Sequence, residues 1–222
     1  MEKIALVTGS SRGIGRAAVR KLAAAGYAVC INYRERQDCA DALVEELTAA
    51  GQRAMAVQAD VSVRQQVNDM VRRVEDAFGP VSLLVNNAGV AGQALFQDIS
   101  DELWHRYFSV NVDGAFHTIQ AVLPRMLHEH EGCIVNISSI GAVRSNSGLA
   151  YTTAKTAVIG MSKNVALEFA PGNIRVNVVC PGPTPTALNT PDQIATFDAD
   201  FAACTVCSID ASASSGVMPS ST

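Results

Sequence analysis

The sequence predicts an α/β fold: a doubly wound parallel β-sheet between two helical layers, a three-layer α/β/α arrangement. Three observations carry this. Short apolar runs alternate with longer helical segments along most of the 222 residues. The runs are apolar nearly throughout, as strands buried on both faces are. The first of them leads directly into a glycine-rich turn and a helix.

In order, residues 4–8 read as a buried strand, and Gly9-Ser10-Ser11-Arg12-Gly13-Ile14-Gly15 follows at once. A helical segment then runs to Gly26, a fitting helix stop. Glycines permit the tight turn and the close approach of a pyrophosphate, which then sits at the positive end of the helix. This is the Rossmann arrangement for dinucleotides. The second strand is residues 28–33, followed by a helix over 38–50 and a break at Gly51. Folds of this kind that select NAD place an acid at the end of that strand to hold the ribose 2′-OH. Here Asn32-Tyr33-Arg34 stands there, and Arg12 lies in the glycine turn. Two cations without an acid favour a 2′-phosphate and hence NADP; the nearby Glu35 leaves NAD possible.

Residues 53–59 form the third strand, closed by Asp60-Val61, and 63–78 an amphipathic helix ending at Gly79-Pro80. The fourth strand, 81–85, leads into Asn86-Asn87-Ala88-Gly89. After a loop, Ser100 caps a helix with Asp101 and Glu102 in its first turn. Its pattern continues past Asn111 and Gly114 towards Met126, with Pro124 placed to kink it. Strand five, 134–137, ends in Ser138-Ser139, and a polar loop through Ser145-Asn146-Ser147-Gly148 precedes a helix that holds Tyr151 and runs to about residue 170. Tyr151 and Lys155, four apart, share one helix face, where an ammonium would favour the phenolate. Strand six is 174–179, followed by Pro181-Gly182-Pro183-Thr184-Pro185-Thr186. From residue 203 the chain is rich in Ser and Ala, has no Lys or Arg, and shows no helix or strand period; it reads as a low-complexity, mobile tail.

Composition bounds the rest. With 48% apolar and 17% charged residues the chain is globular, and a net charge of −4 gives no reason to expect nucleic acid or an anionic membrane as partner. No signal peptide or membrane span is legible, which points to the cytoplasm. Cys30, Cys133 and Cys180 lie in or beside strand-like runs, as small buried hydrophobes do. Cys204 and Cys207 form a lone C-x-x-C that nothing completes into a zinc site.

Taken together, Thr8-Gly9-x-x-x-Gly13-Ile14-Gly15, Asn86-Asn87-Ala88-Gly89, Asn111, Ser139, Tyr151-x-x-x-Lys155 and Pro181-Gly182 resemble the short-chain dehydrogenase/reductase family in its compact single-domain branch. The resemblance covers residues 3 to 190, one NADP-binding domain that includes the catalytic site, and leaves 191–222 as an atypical tail. It implies hydride transfer between a ketone and a secondary alcohol on a small-molecule substrate. Tyr151 is then the general acid/base, Lys155 lowers its pKa and holds the nicotinamide ribose, Ser139 hydrogen-bonds the reacting oxygen, and Asn111 anchors a relay water. Gly9, Ser11, Arg12 and Ile14 match the phosphate turn, and Asp60 and Val61 the adenine contact. Asn86 and Gly89 match the ribose and nicotinamide side, and Pro181, Gly182, Thr184 and Thr186 the carboxamide side. Ser138 keeps the family's usual interval to Tyr151, one residue longer than Ser139 allows. Strand register fixes facing while a loop can lose a residue, so Ser139 is taken as the donor.

The family continues past the Pro-Gly loop with further helices and a last strand. This chain is expected to lack that strand, through truncation or a frame shift. Two alternatives stand beside the ketone/alcohol enzyme: a 3-oxoacyl-[acyl-carrier-protein] reductase, and a catalytically weak NADP-binding protein whose pocket the short C-terminus disables. Against the carrier-protein substrate, His128-Glu129-His130-Glu131 and Pro171-Gly172 occupy places where such reductases carry basic residues. The family also implies a homodimer or homotetramer, packed through the Asn111 and Tyr151 helices.

Overall fold

A computed structural model describes residues 2–144, 148–184 and 205–207. The strands are β1 (Ile4–Val7), β2 (Ala28–Tyr33), β3 (Ala54–Gln58), β4 (Leu83–Asn86), β5 (Gly132–Ile137), β6 (Ile174–Cys180) and β7 (Thr205–Cys207), in the sheet order β3-β2-β1-β4-β5-β6-β7. The first six are parallel. The order reverses between β1 and β4, and the crevice at the carboxyl ends of those two strands is where such sheets bind ligands. The helices are α1 (Gly13–Ala24), α2 (Gln37–Ala49), α3 (Arg64–Phe78), α4 (Asp101–Phe108), α5 (Gly114–Glu129), α6 (Gly141–Arg144) and α7 (Leu149–Phe169).

Alternating side-chain directions divide the sheet between two cores. Leu6, Cys30, Leu84, Ile134 and Val176 face α3, α5 and α7, meeting Met70, Val74, Val122, Met126 and Ala166. Val7, Val29, Ile31 and Val85 face the other way, onto Val19 of α1 and Leu43 and Leu47 of α2. β1, β2 and β4 are therefore buried at every residue, as their apolar runs predict. β5 and β6 alternate instead: among the described residues their second face is only partly covered. Cys30 and Cys180 are buried and Cys133 half-buried, in keeping with their place in strands.

Two expectations need correction. The pattern from Ser100 to Met126 reads as one helix. The structure divides it into α4, a π-helical stretch over Ser109–Asp113, and α5, while Pro124 lies within α5. Apolar period cannot reveal this, because one widened turn moves the stripe by less than a residue's width. The tail from residue 203, read as without strand period, also contributes a short strand. Thr205–Cys207 pairs antiparallel with β6, Val179 opposite Val206, by backbone bonds that three residues are too few to announce through side-chain period. The expectations for Ser145, Asn146, Ser147, Thr186, Cys204 and the remainder of the tail lie outside the described residues. Among the described residues, no helix is long and apolar enough to cross a membrane.

The π-helical stretch delivers α5 against the loop after β3. A Cβ on Gly114 would stand 2.6 Å from Val61 Cγ2. Replacing Gly114 by Ala should therefore destabilise the fold by about 1–3 kcal/mol in urea denaturation, because overpacking outweighs the better helix propensity. A gain in stability would contradict this packing.

Candidate active site

The glycine turn is built from both sides of the β1–β4 crevice. Gly9 and Gly13 hold φ of 60° and 59°, the left-handed region open to glycine. The Gly9 N–H donates to Asn32 Oδ1 (3.0 Å), and Asn32 Nδ2 donates to the Ala59 carbonyl (3.0 Å), so one buried amide ties the turn to β2 and to the end of β3. Across the crevice, Thr8 Oγ1 accepts from the N–H groups of Asn87 and Ala88 (both 3.0 Å), and Asn87 Nδ2 donates to the Thr8 and Gly9 carbonyls. A Cβ on Gly9 would meet Ala88 Cα at 2.8 Å, and one on Gly15 would meet Asn87 Nδ2 at 2.5 Å. Ser11 is buried in the turn, Arg12 is exposed at the α1 N-cap position, and Ile14 opens the helix. α1 has no side-chain cap and no acid in its first turn, so its leading N–H groups remain for an anion. These residues fit a dinucleotide pyrophosphate.

At the carboxyl ends of β4 and β5 the structure brings together Gly89, Asn111, Ser139, Tyr151 and Lys155. Lys155 is buried, and its Nζ donates to the Ile137 carbonyl (2.9 Å). A Cβ on Gly89 would lie 2.6 Å from Asn111 Oδ1 and 3.3 Å from Lys155 Nζ, so only glycine leaves room between them. Asn111, in the π-helical stretch, clasps Val90: its Nδ2 donates to the Val90 and Tyr107 carbonyls (3.1 and 2.9 Å), and its Oδ1 accepts from the Val90 N–H (3.3 Å). The two serines that follow β5 separate. Ser138 Oγ donates to the Lys155 carbonyl (2.8 Å) and locks α7 in place. Ser139 Oγ accepts from the Gly141 N–H (3.1 Å), which leaves its own proton for the Tyr151 phenol beside it.

The electrostatics run against one expectation. Burial pushes the Tyr151 phenol above its usual value; the Ser139 hydroxyl pulls it down and Tyr107, edge-on to its ring, pushes it up. Burial likewise pushes Lys155 down to about 8, against a smaller upward pull from Cys180. The sequence implies an ammonium that acidifies the phenol. In the folded chain desolvation dominates both groups and favours their neutral forms, and Nζ lies 5.9 Å from the centre of the tyrosine ring.

The remaining candidates ring this centre. Asn86 is buried and donates to Asn136 Oδ1 (2.9 Å), so its amide is spent inside the sheet. Val61 is buried under Gly114, while Asp60 Oδ1 takes the Ser62 N–H and hydroxyl. Pro181 accepts from the Ile140 N–H (3.0 Å), and Thr184 Oγ1 donates to the Gly182 carbonyl (3.0 Å). Tyr33 is buried at the end of β2. Arg34 beside it is half-exposed but not a free cation: it pairs with Glu35 and lies 3.8 Å from Asp60 Oδ2. Sequence reasoning missed Thr8, Asn32, Asn87, Tyr107 and Ser138 as builders of the site. For Asn32, Thr8, Asn87 and Ser138 the available signal was a polar residue inside or directly after an apolar strand, which must find partners once covered; Tyr107, on α4, gave none.

The family model described as short chain dehydrogenase matches residues 3–195. A 3-oxoacyl-[acyl-carrier-protein] reductase, FabG, of Staphylococcus epidermidis is 43% identical over 183 residues, covering 82% of this chain and 75% of that protein. A 3-oxoacyl-[acyl-carrier-protein] reductase of Synechocystis is 41% identical over 181 residues, covering 81% and 73%. Among solved structures, an actinorhodin polyketide ketoreductase variant with NADPH superposes with a TM-score of 0.81 at 35% identity, covering 84% of this chain and 72% of that one. A blue fluorescent protein from a metagenomic library, in complex with NADPH, matches with the same TM-score at 38% identity, covering 86% and 78%.

The buried ammonium makes a pH prediction. Between about 8 and its ordinary 10.5, Lys155 has released its proton in the folded chain while the unfolded chain still binds it, so this group's contribution to stability rises with pH across that window. Below about 8 both states are charged and the burial penalty is complete. Lys155→Met removes the penalty. Its stability advantage over the parent should shrink by up to about 3 kcal/mol between pH 7 and 10.5 in denaturant titrations. A gap independent of pH would refute the shift.

Proposed function

The chain belongs to the short-chain dehydrogenase family and is an oxidoreductase acting on CH–OH groups; on that premise we propose that it is an NADP(H)-dependent enzyme of the cytoplasm that interconverts a ketone and a secondary alcohol, with Tyr151 as general acid/base. One observation carries this most: the Ser139 hydroxyl, the Tyr151 phenol and the buried Lys155 ammonium converge at the end of β5, across the crevice from an uncapped helix N-terminus. When bound, the nicotinamide supplies or accepts the hydride. The protein manages the proton and the charge. As negative charge grows on a carbonyl oxygen, Ser139 and Tyr151 are the two hydroxyl donors that meet it. A phenol held neutral by burial is the form that can give its proton away. Lys155, fixed through Ile137, keeps two N–H groups for the ribose hydroxyls, and near pH 8 it exchanges protons readily. Cofactor choice rests on Arg12 and Arg34. The exposed pairing of Arg34 with Glu35 and Asp60 is weak enough for a 2′-phosphate to displace.

The 43% identity to a 3-oxoacyl-[acyl-carrier-protein] reductase favours a second reading, in which the ketone is a 3-oxoacyl thioester. The outward apolar residues Phe116 on α5 and Leu167 on α7 support a homodimer through those helices.

Three measurements test this. Tyr151→Phe should abolish turnover of every carbonyl substrate while NADPH affinity stays within about twofold; retained turnover would sink the assignment. In a panel of ketones, alcohols and acetoacetyl thioesters with each cofactor, oxidation of NADPH by thioesters alone selects the second reading. NADPH binding with no turnover anywhere in the panel would leave a binding protein. Arg34→Ala should raise KM for NADPH about tenfold and leave KM for NADH nearly unchanged, as loss of one charge-assisted phosphate contact implies.

A further inference from the structure

α7 carries both Tyr151 and Lys155, and its fully buried apolar residues are small, while the larger Met161, Val165 and Phe169 pack against the core only partly buried. Its inward residues, spaced four apart, are Ala150, Ala154, Val158, Ser162 and Ala166, all buried. Such a row presents nearly the same small surface after sliding by one turn, and apolar attraction has no direction of its own. Ser162 is its one polar mark.

That mark ends a buried hydrogen-bond chain. Thr118 Oγ1 on α5 lies 2.6 Å from Asn86 Oδ1; Asn86 Nδ2 donates to Asn136 Oδ1 at 2.9 Å; Asn136 Nδ2 donates to Ser162 Oγ at 2.8 Å; and Ser162 Oγ donates to the Val158 carbonyl at 2.6 Å. Asn86 and Asn136 are register partners on β4 and β5. Thr118, Asn136 and Ser162 are wholly buried and Asn86 nearly so. The chain reads consistently from its α7 end, and at its α5 end the single Thr118 proton is shared among Asn86 Oδ1 and the Gly114 and Ala115 carbonyls. A carbonyl only accepts, so Ser162 donates to Val158 and must accept from the Asn136 amide; the Asn136 oxygen then faces Asn86, whose oxygen faces the Thr118 hydroxyl. Two positions past Asn136, just beyond the end of β5, Ser138 binds the Lys155 carbonyl. A slide of α7 by one turn would leave several of these groups buried without partners, each a penalty larger than the net worth of the bond.

We propose that the Thr118–Asn86–Asn136–Ser162 chain sets the register of α7 on the sheet, which makes Asn136 and Ser162 positioning residues for Tyr151 and Lys155. The part that concerns catalysis rests on the function proposed above. Ser162 stands seven residues from Lys155, about 10 Å along a stiff helix, so a change of seat at one is a change of aim at the other.

The test compares Ser162→Ala and Ser162→Cys, which remove or weaken the acceptor, with Ser162→Thr, which keeps it. Val74→Ala, a cavity under α3 in the same core but on an element that does not pack directly against α7, controls for stability loss. Ser162→Ala should lower kcat roughly tenfold or more and displace the pH profile of kcat/KM, since about 1 Å of misplacement is enough for such losses. Ser162→Thr should recover most of the rate, and Val74→Ala should lose stability with kcat and profile unchanged. Should Ser162→Ala not fold, Ser162→Cys takes its place. A Ser162 variant with parental kcat and pH profile overturns the proposal, as does an equal fall in kcat in Val74→Ala. If the parent turns over no substrate, the functional reading fails by itself. Register is then read from NMR titration of the Lys155 side chain, whose midpoint should move in Ser162→Ala; an unmoved midpoint overturns the proposal.

Discussion

Covering a parallel sheet on both faces excludes water from its strands, and every polar side chain left inside must then be satisfied by the protein. Three asparagines meet that demand here, and each fastens a different moving part. Asn32 in β2 holds the glycine turn to the end of β3. Asn86 in β4 receives α5 through Thr118. Asn136 in β5 receives α7 through Ser162. The apolar cores decide that these elements pack on the sheet; the amides decide where along it they stop. The dinucleotide turn, the π-helical stretch that carries Asn111 and the helix that carries Tyr151 are thereby referred to one rigid frame, as a preorganised site requires.

The same exclusion of water governs the charges. A tyrosine and a lysine four apart on a surface helix would titrate near their usual values. Inside this crevice both resist charging, Tyr151 upward and Lys155 down to about 8. That brings the lysine's titration closer to neutral pH and favours the protonated tyrosine. Both groups share a few ångströms with a hydroxyl and a backbone carbonyl, a setting in which small displacements of α7 alter the balance.

The strands, the alternating helices and the glycine turn were legible in the chain because buried parallel strands and amphipathic helices impose strong periods on it. Boundaries agreed to within a few residues from β1 through β6; β2 coincided with its apolar run. The division of the long helix at Ser109–Asp113 and the three-residue β7 were not legible, since both are backbone events without a side-chain period. At the site, spacing placed Tyr151 and Lys155 on one helix face, and resemblance to the short-chain dehydrogenase/reductase family singled out Gly89, Asn111 and Ser139. What Arg34 does was not legible, because Asp60 lies far from it in the chain and beside it in space.

The sequence by itself determined the fold class, the crevice where chemistry could occur and that Tyr151 and Lys155 share one helix face, because each is encoded locally by period, glycine placement and helix spacing; the other site residues were named by resemblance to the family. Only the tertiary structure decided that Ser138 locks the helix while Ser139 faces the phenol, that the buried lysine bonds a backbone carbonyl, and that burial raises the tyrosine's pKa. Those outcomes depend on distances between residues remote in the chain and on the removal of water around them, and neither exists until the sheet has closed.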